Sequence, residues 1–250
     1  FGGYIWYQQS PKQEKYQNAV PYAVRRPLSL LARKLPQNRI TEFLNKGGQK
    51  VEERFIGQAK VFAEEDALKV LKNDYKNGPS VQSITEKVYK KVQGKDDVTK
   101  MQYLDMNLWL PGDILLKADK MSSAHSIELR VPFLDKVVMS LAARIPTQYR
   151  VNSKQTKIAL RQAAEEVIPS EWANRTKVGF PVPIRYWLRE EKYYNLVKEL
   201  FESDIAQEFF ETKELVKFLD DHYNGKENHA RYIWTVYVFL VWYKRFFKDS

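Results

Sequence analysis

Apolar residues recur at three-to-four spacing along most of this chain, and strict alternation of apolar and polar residues is almost absent. That periodicity belongs to helices packing one face inward, so it points to a mainly α fold and leaves little room for half-buried strands. It is clearest in "EEDALKVLKN" (64–73), "SVQSITEKVYKKVQ" (80–93), "DKVVMSLAARI" (135–145), "SKQTKIALRQAAEEVI" (153–168) and "TKELVKFLDDHYNG" (212–225). Start and stop signals support several of them: Thr212 followed by Glu214, Gly225 after Asn224, and Pro169 after Ile168. Loops are expected at 10–27, where three prolines fall, at Gly47-Gly48, at Asn77-Gly78-Pro79, at Gly94 to Asp97 and at 174–185. The result is a helical bundle with long loops and a softer break near 190–211. The most apolar stretch, Tyr232 to Tyr243, has 12 residues. A membrane span needs roughly 20, so a buried terminal helix is expected there.

With 250 residues, 44% of them hydrophobic and 14% aromatic, the chain can bury a sizeable core. Its formal charge of +10 suits an anionic partner such as a phosphorylated ligand, a nucleic acid or a membrane surface. Cysteine is absent, which excludes disulfides, thiolate catalysis and cysteine-held metal. Only His125, His222 and His229 supply imidazoles, none at ligand spacing with another. The opening "FGGYIWY" has neither an initiator Met nor a leader pattern, so a piece of a longer chain is expected.

One stretch mixes charge with apolar residues in an unusual way. "LDMNLWLPGDILLKADKMSSAHS" reads as a helix interrupted at Leu110-Pro111, with proline in the first turn of a second helix. Asp113 and Lys117 are four residues apart and share a face with Lys120, which on pattern alone is a solvated ion-pair ladder. Glu128 and Arg130 then stand two apart, between "SI" and "VPFLD", in what otherwise reads as core. Buried there, they would have to satisfy one another. An internal clamp and a ligand contact fit equally well. His125 is expected to be packed rather than catalytic.

"LPGDILLKADKMSSAHSIELRVPFLD" resembles the C-terminal synthetase domain of glutamine-hydrolysing asparagine synthetases, whose stretch runs K/R-x-D-K/R-M-S-x-A-x-S-x-E-x-R-V-P-F-L-D. "FGGY" resembles the tail of that family's G-E-G-x-D-E-x-F-G-G-Y loop, "SKQTKIALRQA" its K-x-x-L-R helix, and "RTKVGFPVP" its R-x-K-x-G-F-x-x-P loop. The closing aromatic helix is similar too, while 8–95 matches only loosely. The resemblance implies that 1–250 is the helical C-terminal part of an adenine-nucleotide α-hydrolase-like domain, of the PP-loop ATP pyrophosphatase kind, whose parallel sheet lies upstream.

It also implies ATP-dependent amide formation. Aspartate's side-chain carboxylate attacks the α-phosphate of ATP, and ammonia from glutamine then displaces AMP to give asparagine. Such chemistry asks a protein mainly for charge neutralisation by Lys, Arg and Mg²⁺. Lys157 falls on the family's phosphate-contacting lysine, and read from the residues alone it is a first-turn helix lysine that a bound phosphate would suit. Lys117 falls on the basic residue ahead of the Asp-Lys pair, and both are expected to be catalytic. Lys120, Lys154, Arg175 and Lys177 are expected to share the phosphates, the last two from a cationic flap. Asp113 stands one place further from Lys117 than the acid in some relatives, as a candidate substrate or magnesium contact. Glu128 and Arg130 are expected to clamp the "VPFLD" turn beside the site.

The family's S-G-G-x-D-S nucleotide loop occurs nowhere in these 250 residues, and no cysteine is present to serve a glutaminase domain. The isolated chain is therefore expected to be inactive. It would need the upstream sheet and glutaminase domain of a cytoplasmic, often dimeric enzyme, with no membrane association. Two other readings stay open: a related synthetase acting on another carboxylate, as β-lactam-forming enzymes do, and a basic helical module for RNA or acidic proteins. The basic runs are scattered and carry no nucleic-acid signature, so the last ranks third.

Overall fold

A computed structural model describes every residue except Gln37, Ala63, Lys177, Val178, Phe180, Pro181 and Ser250. Among the described residues there is no strand, only two isolated bridges, Leu71 with Phe210 and Val151 with Thr156. The chain divides into two compact units, Phe1–Ala59 with Ser80–Lys177, and Lys60–Pro79 with Val178–Ser250.

The first unit opens with three helices, Trp6–Ala19, Tyr22–Lys34 and Arg39–Gly47. The prolines that predicted a loop over 10–27 instead lie within helices, Pro11 in the first and Pro27 in the second. Proline removes one main-chain donor without forbidding the turns on either side, and Pro21 sits where its fixed φ helps, as the N-cap of the second helix. Asn38 caps the third: its side chain accepts from the Ile40 and Thr41 amides while Thr41 Oγ1 accepts from the Asn38 amide. Gly47 and Gly48 end it at a very close helix approach. A Cβ on Gly48 would lie 2.2 Å from Ser29 Cβ, and Arg25 donates to the Gly47 carbonyl at 2.7 Å.

The core of this unit gathers Tyr7, Val51, Val98, Met101 and Val151, with a neighbouring cluster of Tyr89, Val92 and Leu104. Asp97–Asn107 is the central helix, capped by Asp96. Its Asp105 is buried and accepts from Tyr7 Oη at 2.6 Å and from the Gln58 amide at 3.1 Å. Burial raises the Asp105 carboxyl above the ordinary carboxylate range, the two hydrogen bonds working against it.

The second unit packs Glu64–Val70, Glu191–Phe201, Asp204–Phe209, Thr212–Tyr223 and Ala230–Tyr243 around Phe201, Leu215, Leu219, Ile233 and Leu240. The terminal helix is buried along the stripe Ala230, Ile233, Val236 and Leu240, while Trp234, Val238, Val241 and Trp242 lie on its exposed side. Among the described residues no helix is long and apolar enough to cross a membrane. His222 is fully buried here, at 0% exposure, and its Nε2 donates to the Arg185 carbonyl at 2.9 Å.

Candidate functional site

Four stretches singled out in the sequence meet in the first unit. Gly2 takes φ +71° against the Arg150 carbonyl, and Gly3 lies so close to the Lys157 side chain that a Cβ there would approach its Cε to 2.8 Å. Glycine is needed at the first for its backbone, while at the second a Cβ would push the lysine stem aside. The Phe1 ring meets Phe133 of "VPFLD" edge-on, centroids 6.1 Å apart. Tyr4 accepts from the Trp109 indole at 3.0 Å, tying the same segment to the start of the interrupted helix. "FGGY" is thus the hub that joins the "VPFLD" turn to the "KIALR" helix.

Lys157 is not the first-turn lysine expected. The helix it precedes runs Ile158–Glu165, and Lys157 is its N-cap in the left-handed conformation, φ 55° and ψ 35°. The residues before it turn sharply: Asn152 Oδ1 accepts from the amides of Lys154 and Gln155, both at 2.8 Å, and the Val151–Thr156 bridge closes the loop. A short Asn side chain that mimics a backbone turn competes with helix, which moves the start from 153 to 158. Lys154 therefore stands on this turn, exposed. A non-glycine residue at positive φ carries strain of about 1–3 kcal/mol and persists where its surroundings fix it. Here it aims the lysine stem across Gly3.

Arg150 was not anticipated from the sequence. Its guanidinium donates to Gln102 Oε1 at 2.5 Å, Thr99 Oγ1 at 2.7 Å and Thr147 Oγ1 at 2.6 Å. Asp96 accepts from both threonines. The Arg150 backbone lies against Gly2 and the Lys157 side chain against Gly3, so both cationic residues adjoin the glycine hub. Only its neighbours on other segments reveal Arg150, because "TQYRVN" carries no motif.

The interrupted helix forms as the sequence implied: Asp97–Asn107, a π-helical turn Leu110–Leu115 with Pro111 in its first turn, then Leu116–Ser123. Lys117 Nζ lies 3.8 Å from the Asp113 carboxylate with both side chains largely exposed, and Lys120 is exposed on the same helix. The helix ends with Ser126 at φ 55° and the Ile127 amide donating to the Ser122 carbonyl at 2.9 Å. Glu128 and Arg130 do pair, at 2.7 Å, but with side chains 74% and 82% exposed. The core placement expected for them is corrected, since a pair in water needs no other partner. His125 is exposed as well, not packed. Ile127, Leu129, Phe133 and Val137 are exposed too, so in this chain the apolar stretch lies on the outside.

Arg175 lies just beyond the short Ser170–Ala173 helix, its guanidinium over the Trp172 ring at 5.5 Å, and Lys177 lies outside the described residues. The geometry thus brings Lys157 against "FGGY", which in turn meets "VPFLD", and places Arg175 on a segment adjoining the Lys157 helix. Lys117 and Asp113 face each other. Among the described residues no group of three or more His, Cys, Asp or Glu side chains could hold a metal ion.

The comparisons with known proteins agree with this pattern of segments. A family model described as asparagine synthase matches residues 1–244. Asparagine synthetase [glutamine-hydrolyzing] 1 of Bacillus subtilis is 38% identical over 244 residues, which is 97% of this chain and 38% of that protein. A putative asparagine synthetase [glutamine-hydrolyzing] of Mycobacterium tuberculosis is 36% identical across the whole chain and 38% of its own length. Asparagine synthetase B of Escherichia coli is 33% identical over 98 residues, 38% of this chain and 17% of its own length. No solved structure matches. The chain spans 38% of the length of the first two relatives. With the family model running through all four meeting segments, the chain belongs to the asparagine synthase family.

Proposed function

We propose that this chain is the helical C-terminal part of an ATP-dependent, amide-forming ligase that converts aspartate to asparagine through an aspartyl-adenylate, with ammonia drawn from glutamine. The observation that carries the reading is that "FGGY" meets both of the other segments, Phe133 of "VPFLD" at its Phe1 ring and Lys157 of "KIALR" at its Gly3. In this reading Lys157 and Arg175 neutralise the phosphates, with Lys120 and Lys154 as further phosphate contacts. Lys117 contacts phosphate or intermediate, its pairing with Asp113 setting its position. Lys177 joins Arg175 on the flap. Glu128 and Arg130 act at the surface of the "VPFLD" turn. Mg²⁺ arrives with the nucleotide rather than on side chains of this chain.

The exposed apolar residues of the 116–141 segment support a partner that this chain lacks, an upstream PP-loop sheet carrying the S-G-G-x-D-S loop, followed outward by a glutaminase domain. The isolated chain is inactive in this account, and the intact enzyme works in the cytoplasm as a dimer. Relatives named as glutamine-hydrolysing asparagine synthetases favour aspartate over other carboxylates. The test is pyrophosphate release by the full-length protein with ATP. Release that requires aspartate and yields asparagine with glutamine or ammonia is expected. Release with a different carboxylate, or none, would overturn the reading.

A further inference from the structure

Arg161 lies near the start of the Ile158–Glu165 helix, and its guanidinium gathers three main-chain carbonyls from two places. Nε donates to the Thr156 carbonyl at 3.0 Å, Nη1 donates to the Ala173 carbonyl at 2.9 Å, and both Nη1 and Nη2 donate to the Arg175 carbonyl at 3.3 Å. Thr156 is the residue before Lys157, so one planar fork grips the peptide entering the left-handed lysine and the peptide leaving Arg175.

We infer that Arg161 is a positioning residue that holds the Lys157 cap and the Arg175 segment in one register, so that two separate cations address a single anionic group. Two features argue for this over general stability. The guanidinium is a rigid fork of five donors that can reach both segments at once, which a single ammonium cannot do. Its partners in these four hydrogen bonds are carbonyls rather than carboxylates. Carbonyl partners fix the geometry and leave the positive charge un-neutralised, adding to the field that Lys157 and Arg175 present to a phosphate. The inference rests on the nucleotide reading above and extends it to a residue that touches no substrate.

The experiment compares wild type, Arg161→Lys and Arg161→Met in the full-length protein, with two readouts. Limited trypsin cleavage after Arg175 reports the tether directly, and kcat and KM of aspartate-dependent pyrophosphate release report its purpose. In Arg161→Met, cleavage after Arg175 should accelerate about tenfold or more and kcat should fall by a similar factor, as loss of charge-assisted hydrogen bonds implies. The KM for aspartate should stay within about twofold, because the positioning proposed concerns the phosphate contacts and not aspartate binding. Arg161→Lys, which keeps the charge but grips one segment only, should recover part of each loss and shows the effect even if the methionine variant fails to fold. Unchanged cleavage in both variants would overturn the tether. Accelerated cleavage with unchanged kcat would overturn the positioning role. A wild type without aspartate-dependent release would instead sink the nucleotide reading, and the cleavage rates would still decide the tether.

Discussion

Lys157 shows what a residue pattern can and cannot disclose. Its identity as a cation ahead of a helix was readable from "KIALR", but its left-handed backbone was not, because that depends on Asn152 folding the chain back two residues later and on the Val151–Thr156 bridge. Backbone and charge can be separated by substitution. Alanine at this position removes the charge and keeps a Cβ at positive φ, whereas glycine removes both the charge and the strain. Lys157→Gly should therefore melt higher than Lys157→Ala, by the equivalent of about 1 kcal/mol. Equal melting temperatures would show that the left-handed cap is not held in solution. Arg150 escaped the sequence reading for the complementary reason: it acts through partners distant in sequence, and no local spacing marks it, whereas Arg161 is the closing residue of "K-x-x-L-R" and only its partners were hidden. Glu128 and Arg130 stand among apolar neighbours in sequence, which suggested core, yet those neighbours are themselves exposed.

Helices with strong periodicity were legible to within a few residues: 135–145 became Lys136–Arg144, and 212–225 became Thr212–Tyr223. The first third of the chain was not. Pro11 and Pro27 point to a loop by their type, yet each lies inside a helix that forfeits one main-chain bond there. The packing of Tyr22–Lys34 on Arg39–Gly47 turns on Gly48, whose missing Cβ allows Ser29 and the Arg25 carbonyl to approach. Gly48→Ala should destabilise the first unit by about 1–3 kcal/mol, the range for overpacking where backbone must shift. Thermal unfolding measures it, and a loss under about 0.5 kcal/mol, ordinary for a surface change, would show that the two helices are looser than this.

The molecule as a whole carries two separate cores, a division that no composition shift announced, because residues 60–79 join the second unit from far away in sequence. The two should respond to acid differently. His222 is buried in the second unit, and burial foremost lowers its pKa below 6.5, with the Arg185 hydrogen bond opposing. The unfolded chain then binds more protons than the folded one below pH 6.5, so the contribution is complete above that pH and falls away as pH drops through the lowered value. Amide exchange within Thr212–Tyr223 should quicken across that window in wild type and lose this dependence in His222→Gln. The same acid response in both proteins would mean that another group drives it.

The junction of Gly3 with Lys157 remains the centre of the account, and the most direct measurement is aspartate-dependent pyrophosphate release by full-length Lys157→Ala and Lys157→Gly beside wild type. If Lys157 addresses the phosphates, both variants should lose kcat about a hundredfold or more, as for an electrostatic contact at a reacting phosphate, and glycine should restore stability without restoring rate. A rate in Lys157→Gly close to that of wild type would contradict the account, leaving the lysine as a structural cap and the nucleotide elsewhere.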